Sequence, residues 1–336
     1  MTPGHHPSHT SRRSVLRSAV AAAITAGGFA AWPAPASTAH AATPTVTGSW
    51  AAERRLGRYR VRALLDAHGT FPIGARAAFP DADPDAWDRA RLLDPAAFGP
   101  KGAWELDFRC YLVRGPGGRL TLFDTGIGPV DSPASGWAPV PGRLPRALAT
   151  AGVRPGEVDT VVLSHLHEDH YGWSVTSDGT PVFPNAHYVV QRAETAGLTE
   201  ERTAFRHVVA PLRRAGLLRE ADGRCRLPGP PGGGLTLLAT PGHTPGHQSL
   251  LVEGAGRRLL VTGDLLVHAV QLADPSVGYS YEADPALARR TRTAVLAEAA
   301  RTGTVLAPSH LNRPFLSLPA APPALPIDGA SGAAAP

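Results

Sequence analysis

Six consecutive residues, His165-Leu166-His167-Glu168-Asp169-His170, carry three imidazoles and two carboxylates. Imidazole and carboxylate together are ligand types for zinc and its first-row neighbours. His165 and His167 are two apart, and Asp169 and His170 follow at once, so no single helix face presents all four. The turn that carries them is therefore irregular, and two adjacent ions suit the spacing better than one. Three more metal-capable side chains recur later: His243 in Pro241-Gly242-His243-Thr244-Pro245-Gly246-His247, Asp264 in Thr262-Gly263-Asp264, and His310 in Ser309-His310.

The elements that deliver these residues read as strands. Val158 to Leu163 is an apolar run of β-formers that stops on the six-residue cluster. Leu235 to Ala239 stops before His243, Arg258 to Thr262 before Asp264, and Thr304 to Ala307 before His310. A metal-capable side chain at four strand ends predicts one site along one sheet edge. Phe108 to Arg114 and Leu120 to Phe123 form a hairpin that ends in Asp124-Thr125-Gly126. Asp124 there either caps a turn or buttresses a metal-bound imidazole through its second nitrogen. Gln248 to Glu253 pairs with Arg258 to Thr262 as a second hairpin. Helices are expected over Asp85 to Leu92, Arg143 to Ala151, Ala204 to Gly216, and from Pro285, capped by Asp284, to about Ala300. His268, just past Asp264, is a candidate for the pocket lining. His247, His187 and His207 read as structural or surface residues, and Glu168 as solvent-facing. Tyr171, Tyr279, Tyr281, Trp173 and Phe315 are candidate donors or walls, among which the sequence does not choose.

The chain has 336 residues, of which 43 % are hydrophobic and 6 % aromatic, as in an ordinary soluble globular protein. Its pI of about 9.7 invites a nucleic-acid partner. Arg12, Arg13 and Arg17 give the first 41 residues three positive charges and no acids, so only +2 of the formal +5 belongs to the remainder. That is too little and too scattered for a phosphate-binding surface, and no nucleic-acid partner is expected. Ser11-Arg12-Arg13-Ser14-Val15-Leu16-Arg17 resembles the twin-arginine export consensus, and Ala39-His40-Ala41 offers a small-x-small cleavage site. The expected organisation is a signal peptide over 1–41, an aromatic-rich extension over 42–107 that packs on the core, a catalytic domain over 108–317, and a flexible tail over 318–336. The expected location is periplasmic or extracellular, with no stable membrane association once the signal is removed. Cys110 and Cys225 make no CxxC pair; they are either one disulfide or two separate side chains.

The pattern His165-x-His167-x-Asp169-His170, followed by His243, Asp264 and His310, resembles the signature of the metallo-β-lactamase superfamily over about Phe108 to His310. The segment Gly263-Asp264-Leu265-Leu266 with Gln271-x-x-Asp274-Pro275-Ser276-Val277 is similar to the methyl parathion hydrolase group, and N-acyl-homoserine lactonases share the ligand set. The resemblance implies an α/β fold of the αββα four-layer sandwich type. It implies that His165, His167 and His243 hold one divalent ion, that Asp169, His170 and His310 hold another, and that Asp264 bridges them. Asp169 and Asp264 are then the carboxylates expected in catalysis, with Asp124 and His268 behind the ligands. Zinc is the expected metal, with manganese, iron or cobalt compatible. The implied activity is hydrolysis of a small-molecule lactone, ester or phosphotriester by a hydroxide shared between the ions, in a monomer or homodimer. The bridging Asp264 argues against a true β-lactamase. The alternatives are a non-catalytic metal-binding or interaction protein of this fold, or a nucleic-acid-processing relative.

Overall fold

The computed structural model describes residues 52–229 and 233–319. The expected export signal over 1–41, and the tail from residue 320, lie outside the described residues. Strands β1 (Glu53–Leu56), β2 (Tyr59–Thr70), β3 (Glu105–Arg114), β4 (Leu120–Phe123), β5 (Thr160–Val162), β6 (His187–Gln191) and β7 (Leu218–Ala221) form one sheet in that order. Strands β1 to β4 pair antiparallel, and β4 to β7 pair parallel. The second sheet has the order β12 (Val305–Pro308), β11 (Arg257–Gly263), β10 (Gln248–Gly254), β9 (Gly233–Ala239) and β8 (Cys225–Arg226). In it only the β11–β12 pair is parallel.

Alternation along the strands builds the layers. Leu250, Val252, Leu259, Val261 and Ala307 point to a core shared with Val61, Tyr111, Val113, Phe123 and Val162 of the first sheet. Their neighbours Leu251, Leu260 and Leu306 point the other way, against Leu296 and Ala299. The outer face of the first sheet carries Cys110, Leu112, Leu122 and Val161, covered by Leu144, Leu148, Val208 and Leu212. Helix, sheet, sheet and helix therefore stack as an αββα sandwich. Because β3 is covered on both faces, eight consecutive residues of it are buried, where a one-sided strand would alternate.

Three helices matter to the site: α1 (Pro84–Leu93), α2 (Leu144–Thr150) and α3 (Pro285–Thr302). Asp284 caps α3 by accepting from the Leu287 N–H at 2.9 Å, and Gly303 closes it in the left-handed region at φ 62°. Among the described residues no helix is long and apolar enough to cross a membrane.

Several local readings change. The expected boundary between residues 107 and 108 falls inside β3, and β2 is hydrogen-bonded along that strand from Arg60 to Thr70. The segment before Phe108 is thus built into the sheet. The expected strand Val158–Leu163 is hydrogen-bonded as strand only over Thr160–Val162, because Val158 closes a 3₁₀ turn and the Asp159 carboxylate accepts from the Leu120 N–H at 2.7 Å. The expected helix 204–216 is a π turn over Phe205–Val209 followed by Ala210–Arg214. Pro211 has no N–H to return to the preceding turn, and the Ala210 N–H reaches five residues back to Phe205 O. Cys110 and Cys225 are both free thiols, one buried in β3 and the other half-buried on β8.

Candidate metal centre

Asp124, the His165–His170 loop, His243, Asp264 and His310 follow the C-terminal ends of β4, β5, β9, β11 and β12. β9 runs antiparallel to β10, and β10 antiparallel to β11, so β9, β11 and β12 all end on the same edge. Ligands in open α/β sheets collect at such ends. The Glu168–Tyr171 segment forms a single helical turn that carries Asp169 and His170, while His165 and His167 lie in the non-helical stretch before it.

Seven side chains meet there as two clusters. In the first, His167 Nδ1 stands 2.9 Å from His165 Nε2 and 3.0 Å from His243 Nε2. Asp264 Oδ2 lies 3.3 Å from His243 Nε2. In the second, His170 Nε2 and His310 Nε2 are 3.2 Å apart, and Asp169 Oδ2 lies 3.4 and 3.3 Å from them. The other oxygen of Asp264, Oδ1, faces this cluster, 3.2 Å from His170 Nε2 and 3.1 Å from His310 Nε2. Bonds of about 2.0 Å to a tetrahedral ion put its ligand atoms about 3.3 Å apart, so both clusters fit a divalent cation.

The hydrogen bonds behind the rings make the same point. His170 Nδ1 donates to Asp124 Oδ2 at 2.8 Å, and His310 Nδ1 donates to the Asp107 carbonyl at 2.9 Å. His165 Nδ1 donates to Ser164 Oγ at 2.9 Å, and Ser164 in turn gives its hydroxyl and backbone protons to Asp124. In these three rings Nδ1 is engaged from behind, and Nε2 faces the cluster. Asp264 Oδ1 is buried with no partner that meets hydrogen-bond geometry, and it faces His170 and His310, a placement that suits a ligand atom. His247 supports the same residue: its Nε2 accepts the Asp264 backbone N–H at 2.9 Å.

Charge divides the clusters. Burial pushes His165, His167 and His243 below the usual imidazole range, so the first cluster offers neutral nitrogens. Burial acts the same way on His170 and His310, but Asp264 and Asp169 outweigh it. They raise His170 well above its usual range and His310 to about 10. Burial disfavours ionised Asp264, yet the surrounding His310, His170 and His243 hold its carboxyl well below the usual carboxylate range.

Other expected residues fall where the loops place them. Asp124 is the buttress of His170, held at φ 59°. His268 does not join the clusters; it is buried between Phe79, Trp87, Phe98 and Trp104, ring centroids 5.3 to 5.5 Å away, where burial lowers its pKa to about 3. Glu168 is half-buried rather than solvent-facing, because Trp137 Nε1 donates to it at 3.1 Å. Tyr171 and Trp173 pack with the outer core of the first sheet, and Phe315 packs on Tyr111. Tyr279 lies parallel to His243 at 6.0 Å, and Phe108 meets His310 edge-on at 5.5 Å. From these two rings aromatic surface continues outward through Trp137, Phe71 and Tyr281, the last 42 % exposed. Phe71 belongs to the aromatic-rich segment that the sequence marks, whereas Trp137 stands alone in the loop after β4, where nothing local shows that it borders the site.

A two-sheet sandwich with seven His and Asp side chains at its strand ends is the architecture of a two-metal hydrolase fold. The chain belongs to the metallo-beta-lactamase superfamily, which matches it over residues 109–310. An N-acyl homoserine lactonase of Bacillus sp is 35 % identical over 111 residues, 33 % of this chain and 39 % of that relative, so the match spans under half the relative's length. A crystal structure of the hydrolase AbOPH, placed in the beta lactamase superfamily, matches with a TM-score of 0.65 at 25 % identity, covering 81 % of this chain and 98 % of that one. AidC, a dizinc quorum-quenching lactonase in complex with its product N-hexanoyl-L-homoserine, matches with a TM-score of 0.64 at 21 % identity over 80 % of this chain and 97 % of that one.

Proposed function

We propose that this chain is an exported two-metal hydrolase that opens a lactone, with ester and phosphotriester cleavage as neighbouring activities. The observation that carries the proposal is Asp264, whose two oxygens face different clusters. Zinc is the metal assigned, since imidazole-rich sets at this spacing suit tetrahedral zinc. Divalent ions held there supply Lewis acidity toward a carbonyl or phosphoryl oxygen and acidify water.

The chain's own residues do the rest. With His165, His167 and His243 neutral, the charge facing the first cluster is that of Asp264, so a divalent ion held there would keep net positive charge for a substrate oxygen. Asp169 Oδ2 is turned to His170 and His310, which against burial hold its carboxyl well below the usual carboxylate range, so Asp169 is a carboxylate that would take the proton the attacking water loses and pass it to the departing oxygen. The aromatic surface from Tyr279 and Phe108 to Trp137, Phe71 and Tyr281 favours a substrate with an apolar arm. The lactonase relatives support a lactone ring as the reacting group.

The test is a panel of N-acyl lactones, carboxyl esters and phosphotriesters offered to the zinc-loaded protein, with metal content read on the same sample. About two zinc equivalents and lactone turnover are expected, both lost in Asp264→Asn. Two equivalents retained in that variant, or no turnover across the panel, would overturn the assignment. The export reading is tested separately by N-terminal sequencing of the secreted chain, which should begin near Ala42.

A further inference from the structure

The geometry points to Glu194 as the positioning residue that sets the spacing of the first metal cluster, by tying the loop of His165 and His167 to the loop of His243. The inference rests on the two-metal reading. Glu194 lies just beyond β6, in the turn Arg192–Thr195, and its hydrogen bonds go to the residues beside the ligands. Its carboxylate is buried and fully engaged. Oε1 accepts the Leu166 N–H at 3.0 Å, between His165 and His167. Oε2 accepts the Thr244 hydroxyl at 2.7 Å and the Gly246 N–H at 2.8 Å, on the far side of His243.

Two loops 76 residues apart in sequence, counted from His167 to His243, are thereby held by one rigid side chain. The approach is close. A Cβ on Gly246 would come within 2.2 Å of the Glu194 nitrogen, so only glycine allows the contact. On the other flank, Gly242 sits at φ 132° with the Ala288 nitrogen 2.2 Å from where its Cβ would be. His243 is thus presented between the first turn of α3 and the turn of Glu194. Gln248 also ties the two loops, its N–H donating to Ser164 O and its side chain to Leu163 O, both at 2.8 Å, but on the strand side of His165; Glu194 holds the point between His165 and His167. A carboxylate is suited to the task because it accepts from three donors at once, while an amide of the same shape has one oxygen and sets N–H against N–H on the other side.

The second cluster is independent of this tie. His170 and His310 are oriented by Asp124 and by the Asp107 carbonyl. Removing the Glu194 charge should therefore loosen one ion and spare the other, which a general loss of folding would not do.

The experiment titrates cobalt(II) into the metal-free full chain, following its visible absorption and the stoichiometry by elemental analysis, for the native protein, Glu194→Gln and Thr244→Val. The native protein should take two ions. Glu194→Gln should bind one ion with native affinity and the other about 10- to 100-fold more weakly, the range for lost support behind a metal ligand. Thr244→Val, which removes one of the three donors and keeps the carboxylate, should weaken the same ion by a smaller factor. If the native protein takes two ions and both variants bind both with unchanged affinity, the role of Glu194 is overturned. Equal weakening of both ions in Thr244→Val overturns it as well, and this variant decides the matter if Glu194→Gln does not fold. A native chain that takes fewer than two ions instead sinks the two-metal reading beneath it.

Discussion

His247 Nε2 accepts the backbone N–H of Asp264 at 2.9 Å, so the one carboxylate facing both clusters hangs from an imidazole that belongs to neither. The other ring nitrogen donates to the Thr240 carbonyl at 3.0 Å, which fixes the tautomer. Burial lowers the pKa of His247 to about 4, so the ring is a neutral acceptor at neutral pH. Gly263, at φ 54°, leaves room for the ring, since a Cβ there would come within 2.7 Å of Nε2.

His247→Ala leaves the buried Asp264 N–H without an acceptor. The expected cost is about 1 to 3 kcal/mol of stability in the metal-free protein, read by urea unfolding. A native unfolding midpoint in this variant would mean that the Asp264 loop does not depend on the imidazole.

Asp124→Asn keeps the shape of the buttress and removes its charge. The Asp124 carboxylate fixes the His170 ring through a 2.8 Å bond and is itself held by Ser164. Metal affinity at the second cluster should drop about 10- to 100-fold, measured by competition with a chelator. Weakening confined to the first cluster would contradict this assignment.

Arg292 on α3 is buried and pairs with Glu282 at 2.7 Å, while its other nitrogens donate to Pro275 O and Val277 O at 3.0 and 2.6 Å. It pins the loop whose Tyr279 packs on His243. Arg292→Leu strands the Glu282 carboxylate, and a loss of about 3 to 5 kcal/mol is expected in chemical denaturation. A loss below about 1 kcal/mol would show that the loop is held by its other contacts.

Asp66 gives a pH signature. It is buried under Gly126 and Gly142 and accepts the Ile127 and Leu144 N–H groups at 2.7 and 2.6 Å. Burial outweighs these donors and raises its pKa to about 6, against 3.8 for the free group. The folded protein therefore holds this proton more tightly than the unfolded chain does. Asp66 favours folding most below about pH 4, and that advantage is lost as pH rises to about 6, in all by about 3 kcal/mol. Asp66→Asn does not titrate. The unfolding free energy of the native metal-free chain, less that of the variant, should fall across this window and stay level above it. A difference that is flat from pH 4 to 6.5 would refute the shift.

That these seven side chains gather at one sheet edge was legible in the sequence because ligand chemistry follows residue type, and short apolar runs of β-formers mark where strands end. His165 to His170, His243, Asp264 and His310 each follow such a run, and a strand end places its next residue at the sheet edge whatever the rest of the chain does. Asp124 could be named but not decided between turn cap and buttress, since that depends on a ring 46 residues away. The tertiary structure alone decided Glu194, His247, Trp137 and Asp66. Each acts through a hydrogen bond to a loop elsewhere in the sequence, and a carboxylate, imidazole or indole carries no local mark of the group that packing will bring to it. His268 shows the converse: adjacency to Asp264 in sequence suggested the site, but the turn after β11 sends its ring into the aromatic core.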